Sequence, residues 1–215
     1  MNLMGLTLAV CFCVVGFYAV AMQGQRASEP HRFVVAKDFA PGGALDFTVN
    51  AGDVRIVRNL QPSQVRLEVA VTTRQLGPAE AQKRWVKRME VNGSHATIDL
   101  QLPMGRSAGL VTIYVPAATS LVAKMHAGRL TVGGVKGNKD LRVGSGVLTL
   151  RVADPAAYQH VRAEVRLGEL SDGIFHGKQN GMLGRTMVAE GKGQYQLLLH
   201  VGTGELVLTG EDGGL

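Results

Sequence analysis

Between Leu121 and Gly210 apolar residues fall on alternate positions, break at a glycine, and resume on alternate positions. Val143-Gly144-Ser145-Gly146-Val147-Leu148-Thr149-Leu150 and Val201-Gly202-Thr203-Gly204-Glu205-Leu206-Val207-Leu208 are nearly one phrase. The stretches from Met125 to Val132 and from Val165 to Leu170 are further copies, and Phe47 to Ile56 fits the same frame. A period of two puts successive side chains on opposite faces, so each phrase predicts strands with one buried face. Gly52, Gly128, Gly146, Gly168 and Gly204 hold the same place in every copy. That predicts a backbone turn with positive φ, where a side chain would obstruct. The last four are spaced by 18, 22 and 36 residues, the 36 reading as two units of 18 with a degenerate copy near Gly184. Units of about 20 residues, each too small to bury its own face, predict a stack. The expected fold is all-β, a β-solenoid or β-helix-like pile of short strands with glycine turns.

Elsewhere the pattern predicts further strands at Phe33-Val34-Val35, Val65 to Val71 and Leu110 to Val115, the last stopped by Pro116. A turn is expected at Pro41-Gly42-Gly43, and Asn92-Gly93 is a two-residue hairpin signal. Its overlap with the sequon Asn92-Gly93-Ser94 needs no sugar to explain it. The period changes from Pro78 to Glu90, where Ala81, Trp85 and Met89 recur every four residues. That spacing, with proline at the first helical position, predicts one helix over about 78–90 flanking the sheet through Trp85. Lys83, Arg84, Lys87 and Arg88 cover its other side and are candidate surface contacts, also readable as a basic membrane-touching face. Asp154-Pro155 and Gly173 to Gly193 are expected loop insertions.

The ends of the chain set its compartment. Residues from Leu3 to Met22 are apolar almost without break, and Ala19-Val20-Ala21 suits signal peptidase. About 20 such residues also suffice to span a bilayer, so residues 1–22 are either a cleaved signal peptide or a retained hydrophobic anchor helix. Both readings export the body to the periplasmic or extracellular side, with membrane contact through this segment if it is kept. Residues 23–32 read as a polar linker, 33–210 as one β domain and 211–215 as a tail. Both cysteines, Cys11 and Cys13, lie in the apolar segment, leaving the body without disulfides or thiolate metal sites. Bulky Val10 argues against a lipid-modified Cys11. The net charge of +6 makes anionic surfaces conceivable partners, yet the basic residues are scattered along the chain. Nucleic acid is not expected.

The run from Leu110 to Gly137, with Val115-Pro116, Leu121, Gly128 and Leu130-Thr131-Val132, resembles the adhesin-like (toast-rack) envelope proteins of bacteria. Gly191-Lys192-Gly193-Gln194-Tyr195 through Gly202-Thr203-Gly204-Glu205-Leu206 resembles the C-terminal part of one branch of that group. The likeness extends over roughly Leu45 to Gly210 and rests on glycine and apolar spacing. It implies a β-solenoid in the cell envelope, of unknown function, with no catalytic residues to carry over.

Chemistry is sparse. Ser145 has glycines one residue to each side, where a nucleophile elbow needs them two residues away. His31, His95, His126, His160, His176 and His200 show no metal-ligand spacing. Gly173 to Lys178 has three residues between its glycines where a phosphate loop needs four. No catalytic residue, metal or cofactor is therefore expected. One constellation stands apart: Glu169 and Glu205 each follow the glycine of a phrase. Two rungs apart, they would be separated by about 10 Å, close to the roughly 6.5–9.5 Å of an inverting glycosidase. The expected function is a non-enzymatic envelope protein that binds a protein or glycan. The alternatives are a polysaccharide-cleaving enzyme using Glu169 and Glu205, and an anionic-lipid binder using the basic helix.

Overall fold

The computed structural model describes residues 31–71, 78–103, 109–181 and 184–211. The apolar segment 1–22, most of the linker and residues 212–215 lie outside the described residues. In chain order the elements are β1 (His31–Asp38), β2 (Ala44–Arg58), β3 (Gln64–Val71), α1 (Pro78–Trp85), β4 (Val86–Asn92), β5 (His95–Leu100) and β6 (Gly109–Val115). Then come β7 (Ser120–Gly133), β8 (Lys139–Val152), a short 3-10 turn, β9 (Tyr158–Asp172), β10 (Lys178–Asn180), β11 (Arg185–Glu190) and β12 (Tyr195–Gly210). The described chain is nearly all β, as its alternation predicts.

Five long strands, each carrying one glycine phrase, form the centre. They lie parallel in the order β2-β7-β8-β12-β9. Their register aligns Gly52, Gly128, Gly146, Gly204 and Gly168 in one row across the sheet. All five have φ between +123° and +138°. A Cβ on Gly128, Gly146, Gly204 or Gly168 would fall on the carbonyl oxygen of the preceding glycine in that row. Only glycine fits, for its conformation and for the closeness of the neighbouring backbone.

The row is a corner. Before it, β7 buries Leu121, Ala123 and Met125; after it, Leu130 and Val132. The step of five between Met125 and Leu130 reverses the parity, so both halves of the strand turn the same side inward. β8 repeats this with Leu141 and Val143, then Leu148 and Leu150; β12 repeats it with Leu199 and Val201, then Leu206 and Leu208. Met125, Val143, Val165 and Val201 are all buried, at 4%, 1%, 0% and 0% exposure. Each rung thus has an amino-side and a carboxyl-side arm, and the inner sides of both feed one continuous apolar core.

The strand order is not that of consecutive coils. β12, the last strand, lies between β8 and β9, and the sheet is mixed and open. Gly204 stacks directly on Gly168, so the 36-residue interval hides no further rung. Gly184 precedes β11, which pairs antiparallel to the outer side of β9, and β10 pairs antiparallel to β11. The stretch expected to be a loop insertion therefore forms the edge hairpin of the sheet. At the other end β3 joins β1 and β6 in antiparallel pairs, and β6 lies on the carboxyl-side arm of β2. The amino-side arm of β2 pairs instead with β5.

The helix ends sooner than its spacing suggests. It stops at Trp85, and Val86 to Asn92 form β4, paired antiparallel with β5. The register slips between Val86 and Arg88, a bulge that brings Met89 and Val91 into the same partly buried phase as Val86. A helix end followed by a bulged strand mimics a four-residue repeat. Trp85 is 3% exposed and stacks on Phe33 with ring centroids 6.5 Å apart, so α1 does flank the sheet through its tryptophan.

Candidate functional site

The corner leaves two outward faces, one on each set of arms. On the amino-side arms, charges around one hollow neutralise one another locally, while Lys124 and Arg166 stand exposed with no ion pair among the described residues. Arg142 donates to both carboxylate oxygens of Asp140, at 2.9 and 2.8 Å. Arg162 lies 3.9 Å from Glu164, which also faces His200 at 4.0 Å. Residues two apart on a strand share a face, so these pairs form without any long-range organisation. They line a shallow groove of about 280 Å³.

The carboxyl-side arms are different. Their outward rows are Asp53-Arg129-Val147-Glu205-Glu169 and Arg55-Thr131-Thr149-Val207-Ser171, reading across β2, β7, β8, β12 and β9. Beyond them Val57 stands opposite Gly133, and Gly133 lies against the Cβ of Arg151. Small residues at Thr131, Gly133 and Thr149 leave the middle of this surface low. Around it stand Arg55, Arg58, Arg129, Lys136 and Arg151, all exposed. The result is a basin of about 800 Å³, within the usual 300–1,000 Å³ or so of ligand sites.

Acid groups answer only part of this charge. Asp53 sits between two of the arginines, with Oδ2 3.6 Å from Arg129 and Oδ1 4.0 Å from Arg55. Its Oδ1 is buried and lacks a hydrogen-bond partner, the 4.0 Å separation being beyond hydrogen-bond reach. The acids that line the basin itself are Asp154 and Glu211. Arg58, Lys136 and Arg151 have no ion pair among the described residues.

Behind the basin wall lies a buried lysine that periodicity does reach but charge reading overlooks. Counting back by twos from Val143 through Leu141 gives Lys139, opposite Leu121 on one side and Leu197 on the other. It is 2% exposed. Its Nζ donates to the Gly137 carbonyl at 3.0 Å and to Tyr158 Oη at 2.7 Å. Loss of hydration pushes its pKa down to about 7. Burial, with smaller contributions from Tyr195 and Asp154, pushes the Tyr158 hydroxyl up to about 12. An amine near neutrality beside a phenol could in principle attack a carbonyl. Sealed among Leu121, Leu197 and the Tyr158 ring, it meets no substrate in this conformation, and it reads as a pH-sensitive structural pair.

The residues singled out from the sequence disperse. Glu169 and Glu205 are direct neighbours across β9 and β12, one strand step apart, which removes the two-rung premise. That step is about 4.8 Å. Both project from one flat face, so they approach a sugar laid there from the same side. A glycosidase pair must flank the bond it breaks. Neither lines the basin. Of the four basic residues assigned to one helix face, Lys83 and Arg84 are on α1 while Lys87 and Arg88 belong to β4. All four are exposed, and Arg88 is held by Glu90 at 2.6 Å, which raises its pKa and lowers that of Glu90. A single amphipathic basic helix does not form.

The glycine-rich turn after β9 already has its anion. Asp172 accepts hydrogen bonds from the amides of Ile174, Phe175 and Gly177 at 3.1, 2.8 and 2.9 Å. Those amides are closed to phosphate by the chain's own carboxylate. Ser145 and His126 are exposed, and His160 pairs with Glu190 at 2.8 Å. Among the described residues no three metal-ligating side chains converge, and no helix is long and apolar enough to cross a membrane.

With this geometry in place, known structures can be set beside it. A "putative cell adhesion protein" from Clostridium sporogenes superposes with a TM-score of 0.53 at 13% identity, covering 85% of this chain and 100% of that one. The fold is shared. That meets, at the level of fold, the adhesin-like resemblance read from the glycine phrases. A "putative adhesin" and a "putative lipid binding protein", both from Parabacteroides distasonis, match with TM-scores of 0.26 and 0.27 at 12% and 7% identity. They cover 84% and 85% of this chain and 98% and 97% of their own, too loosely to bear on the argument. No family model and no curated protein matches the sequence.

Proposed function

We propose that this is an exported, non-enzymatic protein of the cell envelope whose β domain, residues 33–210, binds a surface partner through its outward strand faces. The observation that carries the reading is the division of labour along each rung. Inward positions on both arms are devoted to core, while the outward rows are mostly polar and in register over five strands. Such a body presents a rigid surface at low entropic cost on binding. The fold it shares with the clostridial protein, itself described as a cell adhesion protein of that tentative kind, supports the same role. Residues 1–22 supply export, as a signal peptide or an anchor. The stacked corner strands support the solenoid description, with β12 threaded out of sequence.

The test has two parts. The full chain, expressed in a bacterial host, is expected in the periplasmic or surface fraction, accessible to added protease once the outer layer is opened. The purified domain is expected to bind isolated envelopes saturably and to release no reducing ends from them. Retention in the cytosol overturns the export reading. Sugar release that disappears in Glu169→Gln with Glu205→Gln overturns the non-enzymatic one.

A further inference from the structure

We propose that the basin on the carboxyl-side arms is the binding site, and that its ligand is an acidic saccharide: a sugar chain carrying carboxylate, sulfate or phosphate groups. The inference rests on the reading above, that the outward faces engage a surface partner, and it names which face and what chemistry.

Three observations converge on it. First, the fold gathers Arg55, Arg58, Arg129, Lys136 and Arg151 from three strands and a connecting loop around one depression, whereas the two arginines lining the groove of the opposite face each have an acid two residues away. Second, Asp53 lies 3.6 Å from Arg129 and 4.0 Å from Arg55, so the two guanidinium groups gather around one carboxylate on adjacent strands. Arginine forks pair with carboxylate, sulfate and phosphate oxygens in a bidentate manner that lysine cannot match. Third, the floor offers the hydroxyls of Thr131 and Thr149 and the uncovered backbone of Gly133, groups that exchange hydrogen bonds with sugar hydroxyls.

The shape favours a glycan over a membrane. Among the described residues the exposed large apolar side chains are Val34, Leu60, Leu110, Val122, Leu167, Val188 and Leu198, and none of them lines the basin. A surface that enters a bilayer interface needs apolar groups beside its cations. The basin's apolar lining is of small side chains, Val57, Ala117, Val135, Val152 and Ala157 being buried or half-buried, so it has depth for a sugar unit and little that protrudes to insert among acyl chains. Tyr158 lines it but is 4% exposed, so stacking on a ring contributes little and recognition is electrostatic.

The experiment measures binding of a heparin-derived hexasaccharide to the purified domain by calorimetry, with neutral maltohexaose alongside. Binding of the charged chain alone is expected, weakening steeply as salt rises because the rim cations are exposed. Charge-assisted hydrogen bonds are strong enough that Arg55→Ala with Arg129→Ala should cost at least about tenfold in affinity. Lys83→Ala with Lys87→Ala removes as much charge elsewhere and should change affinity less than about twofold. Arg55→Lys with Arg129→Lys keeps the charge but not the forks, and should still lose several-fold. The proposal is overturned by absent binding, by equal affinity for maltohexaose, or by equal losses in the two alanine pairs. It is also overturned if phosphatidylglycerol vesicles, and not the hexasaccharide, bind through the same arginines. Should the Arg55/Arg129 variant bind whole envelopes as well as the parent does, the basin is wrong while the envelope reading stands. If the parent itself fails to bind envelopes, that reading falls first.

Discussion

The two outward faces of this protein are built from the same strands, yet they handle charge in opposite ways. On the amino-side arms the two arginines of the groove have their acids two residues away on their own strands: Asp140 for Arg142, Glu164 for Arg162. Around the carboxyl-side basin five cations come from three strands and a loop; Arg55 and Arg129 share Asp53, and the basin's own acids are only Asp154 and Glu211. Local pairing makes a face indifferent to partners; cations assembled across strands with too few acids leave a face that attracts them. Charge is therefore informative in this molecule where the register collects it, and uninformative where the sequence balances it.

That contrast holds only while the corner fixes both arms to one core, so the largest effect should come from the corner. Gly146→Val places a branched side chain at φ +133° against the Gly128 carbonyl oxygen. A loss of at least about 3 kcal/mol is expected in denaturant titration, enough to unfold a marginal domain. A melt like the parent's would break the corner and the comparison with it. Next, Leu141→Ala and Leu206→Ala empty equivalent core positions on the two arms, each fully buried. Both should cost about 2–5 kcal/mol. A large inequality would show that one arm, and not the corner, carries the stability.

A smaller effect comes from Lys139. Its folded pKa of about 7 lies below the ordinary lysine value of 10.5, so above pH 7 the unfolded chain holds the extra proton. Stability should rise from about pH 7 towards pH 10, by on the order of a few kcal/mol. Tyr158 acts in the other direction at higher pH. Its pKa of about 12 exceeds the usual 10, so the folded chain keeps the proton longer and stability falls above pH 10. Lys139→Met should flatten the rise and leave the fall, as read from denaturation midpoints between pH 6 and 11. Smallest of all, Arg142→Ala in the self-neutralised groove should shift stability by less than about 1 kcal/mol. It should leave hexasaccharide affinity unaltered.

Much of the fold is legible in the residues themselves. The parity step of five, from Val143 to Leu148 or Val201 to Leu206, already encodes a corner, and the glycine inside it marks where. What cannot be read is strand order. The phrases at Gly128, Gly146, Gly168 and Gly204 are near-equivalent, so nothing local says that β12 pairs with both β8 and β9. The same blindness produced the two-rung spacing of Glu169 and Glu205. Helix α1 was legible at its start and lost at its end, because a bulge at Lys87 keeps Met89 on the spacing a further turn would give. The basin was hidden for a simpler reason. Its cations run from position 55 to position 151, and only the parallel register brings them together.

One consequence follows from β12 lying between β8 and β9. While a nascent chain grows, the two strands that should flank the last one face an empty slot, each with a bare row of amides and carbonyls. The sixteen-residue strand β12 closes both at once, so the sheet stays unfinished until Tyr195–Gly210 is free to pair.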